Sequence, residues 1–181
     1  SARAQRELRL QLALDTALQT MKGFGAPERG HVLTRAYELC QQVGDTPQLL
    51  TVLGSLASWH RERAEIPMAQ EVAAQRLTLA QGQPDATLLM AAHYGLALEL
   101  FFGGAFAPAH DHVQQALALA TRHQDGPRAG GVGMPHFRGR ILWMLGYPDQ
   151  ALTQSHQALA LAQEGGRSEQ LATVLYTKAE L

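Results

Sequence analysis

Ala116-Leu117-Ala118-Leu119-Ala120 and Ala158-Leu159-Ala160-Leu161-Ala162 are the same five residues written twice. Ala36-Tyr37-Glu38-Leu39-Cys40 and Arg76-Leu77-Thr78-Leu79-Ala80 vary the theme. In chain order their first residues stand 40, 40 and 42 apart. Self-similarity at a fixed period of about 20–50 residues marks a repeat architecture. Three of the stretches run into a break rich in Gly or Asp: Val43-Gly44-Asp45, Gln81-Gly82-Gln83-Pro84-Asp85 and Glu164-Gly165-Gly166. The one at 116–120 runs on to Asp125-Gly126-Pro127. Seven residues upstream of the last three stretches stand Ala69, Ala109 and Ala151. Seven residues is two helical turns, so both small positions share a face and let two helices approach closely. Arg29 holds that place in the first repeat and Arg76 the later one in the second, and both departures weaken the match of those units.

Each of these helices is preceded by a tight turn. Gly104-Ala105-Phe106-Ala107-Pro108 and Gly146-Tyr147-Pro148-Asp149 pair a glycine, which stops one helix, with a proline suited to the first turn of the next. Gly23-Phe24-Gly25-Ala26-Pro27 and Ala64-Glu65-Ile66-Pro67 occupy the same place. The pattern predicts antiparallel helix pairs over 4–22 with 27–43, 47–63 with 67–81, 86–103 with 108–123, and about 134–145 with 148–164. A ninth, unpaired helix is expected from Ser168 onward. One hairpin cannot bury both its faces, but stacked hairpins share an elongated core. The expected fold is all-α: a right-handed superhelical solenoid of about four hairpins plus the final helix. It forms a single domain over 1–181, with repeats at about 4–45, 46–85, 86–125 and 131–166 and a partial one at 167–181. Ser1-Ala2 reads as a cut start and Leu181 has no stop signal, so the chain is expected to be a piece of a longer protein.

Composition agrees. Apolar residues make up 46% of the 181 residues, mostly Ala and Leu, the strongest helix formers. Fifteen basic against sixteen acidic side chains leave a net charge of −1, so no global field draws nucleic acid or an anionic membrane. No apolar run approaches the ~20 residues that span a bilayer, and no signal segment opens the chain. The single cysteine, Cys40, permits no internal disulfide, and a cytoplasmic location is expected.

Leu96-Ala97, Leu100, Gly104, Phe106, Ala109, Ala116 and Leu119 in the third unit carry the pattern Gly-x-Phe/Tyr, then Ala, then Ala-Leu-x-Leu. In the fourth it is carried by Gly139, Leu142, Gly146, Ala151, Ala158 and Leu161. This resembles the tetratricopeptide repeat (TPR), with a period near 40 instead of about 34. The strings Glu38-Leu39-Cys40-Gln41-Gln42 and Gly146-Tyr147-Pro148-Asp149-Gln150-Ala151-Leu152 further resemble the repeat tails of bacterial signalling ATPases joined to class III adenylate or guanylate cyclases. Maltose-regulator-type transcription activators are more distant in likeness. Over 124–140 the chain departs from that class, with a shorter Gly-rich loop and with Pro135, Arg138 and Arg140 inside the helix. The resemblance implies a sensor or scaffold arm whose chemistry lies in other domains.

It also implies where a ligand sits. In TPR domains the first helix of each hairpin lines the concave groove, which here gives Arg61 and Glu62, then Tyr94, Phe101 and Phe102, then His136, Arg140 and Trp143. Aromatic and Arg side chains are where binding energy concentrates. Such a groove suits an extended peptide or a partner helix with an acidic group or C-terminal carboxylate. Phe101, Phe102 and Trp143 alternatively fill space between hairpins, whereas an unpaired Arg140 is costly to bury.

Other residues carry weaker signals. The glycines between Gly126 and Gly133 lack the preceding strand and the Lys-Ser/Thr ending of a phosphate loop. His110 and His112 are two apart and point to different sides, and His60, His93, His123, His136 and His156 have no ligand-spaced companion, so no metal is expected. Cys40 lies on the buried face and reads as packing, with no base or oxyanion site to make a nucleophile. No catalytic residue and no cofactor are expected. Arg3, Arg6 and Arg9 form a basic stripe that suits a solvated face or a joint to an upstream domain better than nucleic acid. The expected partner is a protein or peptide. The alternatives are the protein's own upstream ATPase or cyclase domains, a homodimer through Ala172, Leu175 and Ala179, or a small-molecule sensor role.

Overall fold

The computed structural model describes residues 2–122 and 133–165, and these form eight α-helices. They are α1 Ala2–Lys22, α2 Pro27–Val43, α3 Thr46–Glu62, α4 Ile66–Gln81, α5 Ala86–Phe102, α6 Phe106–Arg122, α7 Gly133–Met144 and α8 Pro148–Gly165. Every paired helix that the repeat pattern predicts is present, with ends shifted by at most two residues. The expected ninth helix, with Ala172, Leu175 and Ala179, lies outside the described residues, as do His123 and most of the 126–133 glycine run.

The chain divides into two compact units, Ser1–Leu88 and Leu89–Leu181. In the first, α1 packs on α2, α2 on α3 and α3 on α4. Its core joins Ala4 and Leu8 of α1, Ala36, Leu39 and Cys40 of α2 and Val52 of α3. In the second, α6 packs on α7 and α7 on α8. There Ala97 of α5, Ala109 and Val113 of α6, and Phe137 and Ile141 of α7 share a core.

The landmark alanines Ala69, Ala109 and Ala151 are all fully buried, as close helix crossing requires. Arg29 is also buried, at 1% exposure, in the place where the other repeats have alanine. Its Nε donates to Asp15 Oδ1 at 2.7 Å and its Nη2 to Asp15 Oδ2 at 3.1 Å, and its Nη1 donates to the Phe24 carbonyl. The departure read from the sequence is thus answered by a second one, an aspartate buried in α1. Pro135 sits in the first turn of α7, where its missing N–H breaks no helical bond.

Candidate functional site

Three of the eight expected contact residues, Tyr94, Phe101 and Arg140, come together in the second unit, Phe102 stands beside Phe101, and His136 and Trp143 share α7 with Arg140. Tyr94 and Phe101 are two helical turns apart on α5; His136, Arg140 and Trp143 are spaced four and three apart on α7. The two stripes meet at Phe137. Its ring lies edge-on to Tyr94 at 5.7 Å and to Phe101 at 5.2 Å. Phe101 also meets Phe102 at 5.7 Å and Phe106 at 5.4 Å. Tyr94 and Phe101 are therefore half-buried members of the core, whereas Phe102 is 50% and Trp143 40% exposed. The choice between filling and facing resolves residue by residue.

Arg140 lies over the open face of Phe101, its guanidinium carbon 5.2 Å from the ring centroid. No carboxylate among the described residues pairs with it. A guanidinium at this place is attracted by the ring's negative face, and its N–H groups remain donors for a planar acceptor. His136 is half-buried one turn before it. The result is a patch with an apolar floor and one cation over it; Phe102 on α5 and Trp143 and Met144 on α7 are exposed.

Arg61 and Glu62 belong to the first unit, at the end of α3. Arg61 Nη2 donates to Ser58 Oγ at 3.3 Å and to Glu62 Oε1 at 3.2 Å. The neighbouring cluster is one that the sequence reading passed over. Trp59 Nε1 donates to the Ala26 carbonyl at 2.9 Å, and Arg63 covers the Trp59 ring at 5.0 Å. Glu65 accepts from Arg63 at 2.9 Å and lies 2.7 Å from His60 Nδ1; the His60 and Arg63 bonds hold its carboxyl below the ordinary range. Trp59 fits only because α2 has a glycine opposite: a Cβ on Gly30 would come within 2.5 Å of the indole. Together with Pro27, His31, Thr34 and Arg63 they line an open cleft of about 360 Å³. A larger cleft of about 500 Å³ has a floor of Tyr37, Leu49, Leu53 and Leu79 and a rim of Gln41, Gln75, Thr78 and Gln83. Neither shows in the sequence, because the lining residues come from different helices at unrelated spacings.

The second signal that spacing could not supply is a histidine pair. His93 of α5 and His112 of α6 approach at 3.0 Å between their Nδ1 atoms, with ring centroids 5.2 Å apart. Burial lowers the affinity of both for a proton, and His112 adds to the effect on His93. One neutral ring donates to the other, which explains the short distance without a third component. His110 points away toward Gln114, as the two-residue spacing predicts. Among the described residues no group of three His, Cys, Asp or Glu side chains could hold a metal ion. Cys40 is 1% exposed, and burial, then Asp45, push its thiol up to about 11, so at neutral pH it is a protonated packing group. No helix among the described residues is long and apolar enough to cross a membrane.

No family model matches the chain, and no curated protein matches it. Solved structures do. A putative kinesin light chain from Podosopora anserina with nearly identical TPR-like repeats superposes with a TM-score of 0.70 at 18% identity, over 96% of this chain and 87% of that one. A singly substituted form of that protein gives 0.71 at the same identity and coverage. BtubC (BKLC) from P. vanneervenii gives 0.61 at 17% identity, over 98% of this chain and 82% of that one. Identities this low speak for the fold alone: it is an all-α, TPR-like helical repeat.

Proposed function

We propose that this chain is a non-catalytic interaction module that binds a peptide or partner helix across the α5–α7 face. The observation that carries this is Arg140, set over the Phe101 ring with no carboxylate partner among the described residues, with exposed Phe102 beside that ring and exposed Trp143 one turn further along α7. A cation held in place by an aromatic ring loses little freedom on binding, which favours a carboxylate ligand. The exposed aromatics supply the apolar contact that concentrates binding energy. The matching occupant is a segment with an acidic side chain or chain-end carboxylate one or two residues from an apolar anchor. Tyr94 acts from beneath, bracing Phe137. Arg61 and Glu62 of the first unit, which satisfy one another, are kept as secondary contact candidates.

The likeness of the Gly-Tyr-Pro-Asp-Gln-Ala-Leu and Glu-Leu-Cys-Gln-Gln strings to the arms of bacterial signalling ATPases supports a place in a signalling or regulatory protein. In that setting the module reports or scaffolds while other domains do the chemistry. The test is capture from a lysate of the source organism with the wild-type chain beside an Arg140→Ala, Trp143→Ser variant. Both substitutions fall on accessible side chains, so helicity should match. A partner held by the wild type alone, and cross-linking to α5 or α7, is the expected result. The same partners on both baits, or none, would move the reading to an intramolecular arm or a small-molecule sensor.

A further inference from the structure

The outer face of α1 carries a second surface, built independently of the α5–α7 patch. Leu10 is 65% exposed, Leu14 46% and Met21 81%. With exposed Ala17 they fall at spacings of four, three and four, the rhythm of a helical seam. At 3.6 residues per turn they occupy an arc of about 60°. The opposite side of α1 is already used, with Ala4, Leu8 and Asp15 buried. Apolar residues therefore run along both sides of this helix, and one side has nothing from the described chain upon it.

Charge says what covers it. Three other charges of α1 are neutralised by α2: Glu7 by Arg35 at 2.7 Å, Asp15 by Arg29 at 2.7 Å, and Lys22 by Glu28. Arg3, Arg6 and Arg9 are exposed and, among the described residues, form no ion pair; Arg9 Nε reaches only the Gln5 carbonyl, at 3.5 Å. Arg3 and Arg6 continue the Leu10–Met21 stripe toward the start of the helix. The surface is thus an apolar seam with a basic end. A second copy of α1 would complement it poorly. Laid parallel, it sets arginine on arginine; laid antiparallel, it offers Met21 and an already paired Lys22. A membrane asks for a broad apolar face with cations distributed along its flank. This seam is narrow, its cations are gathered at one end, and Ala13 and Ala17 leave room for another helix to come close.

We infer that the outer face of α1 docks an amphipathic helix, with apolar residues at seam spacing along Leu10, Leu14, Ala17 and Met21 and two or three acidic residues against Arg3, Arg6 and Arg9. The probe is a fluorescent 21-residue helical peptide with Leu at seam positions and three Glu in one terminal turn, titrated into the whole chain and followed by anisotropy. Saturable binding is expected. Leu14→Gln should weaken it at least tenfold, and so should the triple reversal Arg3→Glu, Arg6→Glu, Arg9→Glu. A peptide with Lys for Glu should bind the reversed chain and not the wild type. These substitutions are all on exposed positions, and circular dichroism checks that the helices persist. The titration is repeated in an Arg140→Ala background, which removes the α5–α7 patch as a competing receptor; saturable binding that persists there and is lost on Leu14→Gln and on charge reversal belongs to α1, so the outcome is separable from that of the α5–α7 reading. The inference is overturned by no saturable binding, or by binding indifferent to Leu14→Gln and to charge reversal. It is equally overturned by a doubling of mass in light scattering that Leu14→Gln abolishes, which would make a second copy the occupant. Co-sedimentation of the chain with phosphatidylserine vesicles, lost in the triple reversal and unaccompanied by peptide binding, would make it a lipid surface.

Discussion

Arg29 and Asp15 make the clearest wager at the scale of single residues. Each stands where a repeat of this kind would bury a small or apolar side chain, and each is tolerable only because of the other. Removing one partner of a buried pair strands the other charge and costs about 3–5 kcal/mol. Arg29→Ala, which brings the first repeat into line with Ala69, Ala109 and Ala151, is therefore expected to destabilise, as is Asp15→Ala. The double variant should lose much less than the sum, and urea denaturation of the four proteins measures the coupling. None of this was legible in the sequence: Arg29 showed as a departure, but nothing at a distance of fourteen positions marked Asp15 as its partner. The same holds for His93 and His112, which only the antiparallel fold brings together. Their proton affinities, and that of His110, are lowered in the folded chain, chiefly by burial. The unfolded chain then takes up protons first, so stability is level above about pH 7 and falls as pH drops through the ordinary histidine value of about 6.5. It stops falling once the folded histidines are protonated as well. Glu7, Glu28 and Glu65 are shifted below 4.5 and give up their contributions only in more acid solution, so the window between pH 7 and 5 reads histidines. The urea midpoint should drop between pH 7.5 and 5.5, and His93→Asn with His112→Gln should flatten that slope. An unchanged slope would mean that the pair does not titrate in this window.

At the scale of elements, the hairpin turns repeat as faithfully as the helices. Gly23, Gly104 and Gly146 have φ of 90°, 79° and 84°, and the residue in the same place in the second hairpin, Ala64, has φ of 59°. Left-handed backbone costs an L-residue with a Cβ about 1–2 kcal/mol, part of which glycine returns through its freer unfolded state. Ala64→Gly should accordingly stabilise by up to about 1 kcal/mol, a rise in Tm of about 2–4 °C for a chain of this size. Gly104→Ala should do the reverse by a similar amount. A Cβ there meets nothing within 4 Å, so that test isolates the backbone from any clash. Scanning calorimetry of the two variants checks both signs. Elements were the most legible level because their signals are local: a Gly-to-Pro turn, a small residue two turns before an Ala-Leu stretch, and the next break. Even Ala64 was placed correctly from the Ile66-Pro67 step that follows it. The clefts beside Trp59 and beneath Gln75 were not legible, since a cleft belongs to no single element. For the groove residues the sequence could name the helix but not the depth. Phe101 and Phe102 are adjacent in sequence, yet the first is half-buried against Phe137 and the second lies half in solvent.

For the whole molecule, the decisive property is that packing is local in the chain: α1 on α2, α2 on α3, α3 on α4, and again α6 on α7 and α7 on α8, with α7 reaching back only as far as α5 of the preceding hairpin among the ring contacts. A solenoid whose parts contact only their neighbours has stability that is a sum of local terms, and damage to one part need not travel. The two compact units and their separate cores give that argument a definite form here. Native-state hydrogen exchange is the measurement that reads it, because it reports opening free energies segment by segment. Asp15→Ala, which strands Arg29 in the first unit, should speed exchange of core amides in α1, α2 and α3 by orders of magnitude, as a loss of about 3–5 kcal/mol implies. Exchange at Phe137, Ile141 and Leu142 of α7, and along the buried face of α8, should scarcely change. Conversely, a ligand seated on Arg140 should slow exchange in α5 and α7, while one seated on the Leu10–Met21 seam should slow it in α1. A uniform acceleration over all eight helices in Asp15→Ala would refute the local picture and make the chain one cooperative body. The two surfaces would then be thermodynamically linked, and occupancy of either would strengthen binding at the other wherever the unbound chain is partly open. If the local picture holds, the α1 seam and the α5–α7 patch act as independent contacts. The chain then joins two partners at once with additive free energies, the behaviour expected of a scaffold arm and not of a switch.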